Sequence, residues 1–220
     1  MEKRKYHAIF RSVRYDAASF LRTVWQFALV IAAFILFWRH TETTGLVWPI
    51  TMISAIIPMA IQMQRYTVSY SQLVGYGLTK RSFLLGGLLA KPMYMLFAVL
   101  MVIAVGLIET MPAGELGACC GIAAMISLFA GSYGDLAGSM ILRWNRVGFV
   151  LYMILFIGLY FIAGVFMGIL SASGMPYLSE LVSLPSSGTL LGIITAVSLV
   201  LSALFHVIAA LLLRRVEVKG

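Results

Sequence analysis

Six apolar stretches, each long enough to cross a bilayer as a helix, leave this chain few alternatives to a helical membrane bundle. A hydrocarbon core of about 30 Å takes roughly 17 to 25 helical residues, and lipid offers no partner to an unpaired backbone N–H or C=O, so only helices and closed barrels persist there. The stretches cover about residues 21–38, 46–63, 92–108, 116–132, 147–170 and 190–213. With 61% apolar and 11% charged residues in 220, an ordinary soluble domain is excluded. The expectation is an all-α integral membrane protein, with residues 1–220 forming one transmembrane domain.

The basic residues orient this layout. Lys3, Arg4, Lys5, Arg11, Arg14 and Arg22 precede or open the first span, and Arg65, Lys80, Arg81 and Lys91 lie between the second and third. Arg143 and Arg146 lie between the fourth and fifth, and Arg214, Arg215 and Lys219 follow the sixth. Only Arg39 falls on the opposite side. Short loops rich in Lys and Arg are retained in the cytoplasm, so both termini are expected there. Glu42, Glu109, Glu115 and Glu180 fall on the outer side, and Trp38, Trp48 and Trp144 stand near span ends, where indole favours the interface. A net charge of +8 made of short clusters flanking apolar runs is not a nucleic-acid stripe, and nucleic acid is not an expected partner.

Before the first span, Tyr6, Ile9, Phe10, Val13, Ala17 and Phe20 recur at steps of three and four, with Lys3, Arg4, Arg11 and Arg14 elsewhere. This spacing predicts an amphipathic helix over 1–20 lying on lipid headgroups. The first span carries no small-residue cleavage site before His40-Thr41-Glu42 and reads as a retained helix. The outer segment 171–188, with Pro176 and Pro185 around Tyr177, Leu178, Leu181, Val182 and Leu184, fits either an interfacial or re-entrant helix or a plain loop.

Catalytic chemistry has little to work with. The chain has no phosphate-binding Gly-x-x-x-x-Gly-Lys-Ser/Thr, no His-Glu-x-x-His and no Gly-x-Ser-x-Gly. Adjacent Cys119 and Cys120 in an apolar run make no disulfide framework or metal site. No catalytic, cofactor-binding or metal residue is expected in this chain. His206 inside the sixth span is a functional candidate by its position, or a neutral histidine bonded to a neighbouring helix. Gln26, Met59, Gln62 and His206 are candidates to line a translocation path, while Gln26, Gln62 and Asp135 equally suit membrane boundaries. Gly117 and Gly121, Gly134 and Gly138, and Gly164 and Gly168 form Gly-x-x-x-Gly pairs that permit close helix packing, within a bundle or between copies.

The most distinctive polar stretch is residues 65–91. It is too polar to span, and its pattern predicts a short helix from about Tyr70 to Tyr76, a turn at Gly77, and a new helix with Thr79 as N-cap. Such a knuckle at the inner surface is suited to receive force from a soluble partner.

With its basic leading helix, six spans and the run Gly77-Leu78-Thr79-Lys80-Arg81-Ser82-Phe83-Leu84-Leu85-Gly86 entering the third span, the chain resembles the permease subunits of bacterial type 2 ATP-binding-cassette exporters. The resemblance covers most of the chain in layout and about ten residues as a motif. It implies a non-catalytic subunit in the bacterial plasma membrane, working as a homo- or heterodimer with separate ATPase subunits that bind ATP and Mg. It implies export of peptides or of hydrophobic or amphipathic cargo. A coupling helix would fall on Tyr70 to Lys80, with Tyr70, Ser71, Gln72, Gly75, Gly77, Thr79, Lys80 and Arg81 meeting the ATPase. A second contact would fall on Asp135 to Arg146, with Asp135 and Arg143 tying either to the partner or to each other. Other readings are the six-span substrate-capturing component of a vitamin importer, hinted at by Ala28 and Ala32, and a bacteriocin immunity protein.

Overall fold

A computed structural model describes residues 10, 13–14, 17–22, 24–25, 47–75, 78–158 and 187–216. Most of the leading helix and first span, Gln26, Gly77, the rest of the fifth span, the segment 171–186 and the pair Gly164 and Gly168 lie outside the described residues. Within them the chain is all-helical. The elements are α1 (Val47–Gln64), a π-helical turn (Arg65–Ser69), α2 (Tyr70–Gly75), α3 (Lys80–Ile108), α4 (Ala113–Trp144), α5 (Arg146–Gly158) and α6 (Ser187–Arg214).

Among the described residues three helices are long and apolar enough to cross a membrane: α3, α4 and the Thr195–Arg214 part of α6. Their outward faces are greasy. Leu88, Leu89, Leu96, Leu100 and Leu107 on α3, and Ile193, Val197, Val200, Leu204, Val207 and Leu211 on α6, are all exposed. Polar side chains are instead packed inside: Thr51, Ser54, Gln62, Arg65, Lys91, Ser127, Ser132, Asp135, Ser139 and Ser202. An apolar exterior around a partly polar interior is what lipid selects, since water would reverse it.

Helix α4 is the centre, packing against α1, α3 and α6. Every residue from Ala130 to Met140 is buried, so this stretch is covered on all sides. Small residues make that possible. A Cβ on Gly134 would stand 2.5 Å from the Met59 carbonyl, and one on Gly138 would stand 2.7 Å from the Tyr66 Cβ, so α1 rests against the glycine backbone. This Gly-x-x-x-Gly pair serves packing inside the chain, whereas a Cβ on Gly117 or Gly121 would meet nothing.

The helices that hold the expected third and fourth spans are longer than those apolar stretches. Helix α3 begins at Lys80, directly after the expected N-cap Thr79 and well before the apolar stretch opens at Pro92, and α4 continues to Trp144, past Ser132. Pro92 lies within α3 without ending it. The α3–α4 hairpin turns through Thr110, whose φ is 55°, with Met111 N–H donating to Gly106 O at 3.0 Å. At the other end Asn145, with φ 50°, turns the chain into α5, a backbone region that Asn tolerates better than most residues.

The N-terminal segment contributes one anchor. Phe20 is buried with Ile57, Ile61 and Ala90, its ring 5.3 Å from Tyr94 and 5.1 Å from Phe97.

Candidate functional site: a helical knuckle and a buried charge cluster

Two groups of residues carry the functional candidates, and the first is the knuckle between α1 and α3. The short helix expected from Tyr70 is present as Tyr70–Gly75, and Thr79 caps α3, its Oγ1 accepting from Ser82 N–H at 3.1 Å. It is not a separate elbow, however. The π turn Arg65–Ser69 runs straight from α1 into α2, with helical backbone on both sides. Force applied to α2 therefore reaches α1 through continuous helix.

The inner face of the knuckle is locked. Tyr66, Tyr70, Leu73, Leu78, Phe83 and Leu213 form one buried cluster, with Leu142 of α4 packed against it. Tyr66 and Tyr70 meet the Phe83 ring edge-on at 5.1 and 5.0 Å. Burial pushes the Tyr70 phenol up, so it stays neutral. Arg65, placed by charge pattern at the inner surface, is instead buried, its guanidinium 4.0 Å above the Phe83 ring and donating to the Phe83 carbonyl. Gly87 leaves the space this guanidinium occupies. Of the residues expected to meet a partner, Ser71, Gln72, Gly75, Thr79 and Arg81 are exposed, whereas Tyr70 faces inward. Lys80 is half-buried, and its ammonium donates to the carbonyls of Arg214, at 3.3 Å, and Val216. It thus caps the C-terminus of α6, where a cation meets the negative end of the helix dipole.

The second group lies deeper. On α3 the buried stripe Phe83, Gly87, Ala90, Lys91, Tyr94, Ala98, Val102 and Val105 follows steps of three and four, and places Lys91 toward α4. On α4 the same periodicity aligns Ser132, Asp135 and Ser139, and on α6 it aligns Ser202, His206, Ala209 and Leu213. Where the stripes meet, Lys91 Nζ stands 2.9 Å from Asp135 Oδ2, and the two side chains are 3% and 0% exposed. Lys91 also donates to Ser132 Oγ at 2.8 Å, and His206 Nδ1 stands 3.3 Å from the same Asp135 oxygen. At a rise of about 1.5 Å per residue, Lys91, Asp135 and His206 lie roughly 16, 14 and 12 Å along their helices from Lys80, Trp144 and Arg214. The three share one depth.

This overturns two expectations. Asp135 is not a surface residue: it is fully enclosed and partnered by Lys91 and His206, not Arg143. Lys91 does not lie in the inner loop but within α3. Arg143 is half-buried in the last turn of α4, its guanidinium 5.1 Å from the Trp144 ring. Gln62, two residues before the end of α1, is buried and donates to Tyr94 Oη at 3.2 Å, and Met59 packs beside Tyr133, Tyr152 and Phe205. Sequence reasoning weighed Asp135 and His206 separately and passed over Lys91. The signal available was a Lys and an Asp in adjacent apolar stretches, each on the small-residue face of its helix.

Among the described residues no three His, Cys, Asp or Glu side chains converge as a metal site. Comparison of the chain with protein-family models, with curated proteins and with solved structures gave no match.

Proposed function

We propose that this chain is the transmembrane permease subunit of an ATP-driven exporter. It works as a dimer in a bacterial plasma membrane with both termini cytoplasmic, beside separate ATPase subunits that bind ATP and Mg. Six spans, an amphipathic leading helix and a coupling role for α2 belong to this reading. One observation carries it: α2 turns Ser71, Gln72 and Gly75 outward while Tyr70 and Leu73 are gripped by side chains of α3 and α6. A short helix held that way acts as a lever, since a push on its polar face moves α1, α3 and α6 together. The Lys80 contacts to the last turn of α6 add a polar tie at the same place.

Cargo is peptide or amphipathic and passes between two permease copies. The chain itself hydrolyses nothing. Co-purification of the tagged chain in mild detergent with ATPases of its own genome tests the proposal. A Gln72→Glu, Ser71→Tyr variant alters the outward face and leaves the buried cluster intact. A stable ATPase partner, lost in this variant while the chain stays folded, supports the reading. Absence of any ATPase partner favours a stand-alone binding or immunity protein instead.

A further inference from the structure

We propose that His206 and Asp135, together with Lys91, form a proton-binding site within the helical bundle, whose occupancy sets how firmly α6 is held to α4. This stands on the cluster's own geometry and does not depend on the exporter reading.

Charge balance is the first argument. Lys91 and Asp135 at 2.9 Å already cancel each other, so a purely structural pin between α3 and α4 needs nothing more. A third ionisable side chain on the same carboxylate oxygen makes the cluster's net charge depend on a single proton. With a neutral imidazole the cluster sums to zero; with an imidazolium it carries one positive charge. Buried charges and polar groups in membrane-length helices are costly and sit where ions or protons are handled.

Acceptor accounting is the second argument. Asp135 Oδ2 receives both Lys91 Nζ and His206 Nδ1, whereas buried Oδ1 has no partner among the described residues. A carboxylate can accept at both oxygens, so this one retains room for a further donor.

Access is the third. Asp135 is 0% and Lys91 3% exposed, while the His206 side chain is 20% exposed. Only the imidazole has an edge open to the surroundings. With Nδ1 turned to Asp135, a proton that reaches this edge is taken up by the Nε2 lone pair, and Nδ1–H then donates to the carboxylate as part of a cation. No covalent bond other than N–H forms or breaks.

Among the described residues the charged groups at the cluster are Lys91 from α3 and Asp135 from α4, and the nearby α4–α6 seam adds Tyr133 of α4 and Tyr152 of α5, whose rings lie 5.8 Å apart. From α1 the neighbours of this region are Met59 and Met63, which do not ionise. On α6 itself Phe205 packs on Tyr133 at 5.8 Å, so a change in the His206 contact bears directly on the α4–α6 seam.

The test uses the full chain in lipid nanodiscs, labelled with 15N-histidine, with His206 assigned by its loss in His206→Gln. Between pH 8 and pH 5 the His206 ring signals are expected to pass from the neutral to the cationic pattern, with a midpoint that moves in Asp135→Asn. Thermal melting of the wild type is expected to depend on pH over the same range, with a component that His206→Gln removes. A ring that stays neutral, or stays cationic, throughout that range overturns the proposal. So do an unmoved midpoint in Asp135→Asn and superimposable pH profiles of melting for wild type and His206→Gln. The ring titration is read on the unmutated chain, so a variant that fails to fold does not shield the idea.

Discussion

Lys91 and Asp135 meet at 2.9 Å between α3 and α4, both shut off from their surroundings, and the carboxylate of that pair is shared with His206 of α6. One carboxyl group thus joins three helices, deeper in the bundle than the Lys80 tie between α3 and the end of α6. The pair is also what allows charges inside helices of membrane length, because each neutralises the other and neither is left alone in a medium of low dielectric.

Removing one partner should therefore cost far more than removing both. Lys91→Met strands the Asp135 carboxylate and is expected to lower stability by about 3 to 5 kcal/mol, the range for breaking a buried pair. Lys91→Met combined with Asp135→Leu is expected to recover most of that loss. Unfolding by SDS titration from mixed micelles measures both. Equal losses in the single and double variants would mean that the pair is not coupled.

Close packing of α4 on α1 gives a second contrast. Gly134→Ala places a methyl group 2.5 Å from the Met59 carbonyl, a backbone atom that has little room to retreat. Overpacking of this kind is expected to cost about 1 to 3 kcal/mol. Gly117→Ala, where nothing lies within 4 Å, is expected to be neutral or slightly stabilising through helix propensity. The same unfolding titration separates the two variants, and similar values for both would contradict this packing of α1 on α4.

Lys80 links the start of α3 to the end of α6, so Lys80→Ala should loosen the last turn of α6 more than it disturbs α3. The expected loss is about 0.3 to 1 kcal/mol, that of a cation at a helix C-terminus. Hydrogen exchange reads it locally. Amides at the C-terminal end of α6 and in the following turn are expected to exchange faster, with those of α3 beyond its first turn unchanged.

Why some of this was legible in the sequence and some not follows from the residues. The knuckle could be read because its signals are local: Thr79 offers a capping hydroxyl three residues before a backbone N–H, and Leu73 and Leu78 bracket the turn. The length of helix beyond each apolar stretch was harder to read, because hydropathy counts each charge as a boundary. Lys91 cut the third span short at Pro92 and Asp135 cut the fourth at Ser132, yet a charge partnered across the bundle does not end a helix. The partnership is a tertiary fact about residues far apart in sequence. Arg65 misled in the same way, since its berth against Phe83 and Gly87 exists only once α3 has packed. The π turn at Arg65–Ser69 leaves no mark in composition, and hides the continuity of α1 with α2.

Site-specific photo-crosslinking in native membranes tests whether α2 receives the force of a soluble ATPase, as proposed. A photoreactive residue at Gln72, on the outward face of α2, is predicted to form an adduct with an ATP-binding-cassette ATPase. The same probe at Leu107, exposed at the far end of α3, is predicted to form none. An ATPase adduct from Leu107, or none from Gln72 in a folded chain, would contradict the account.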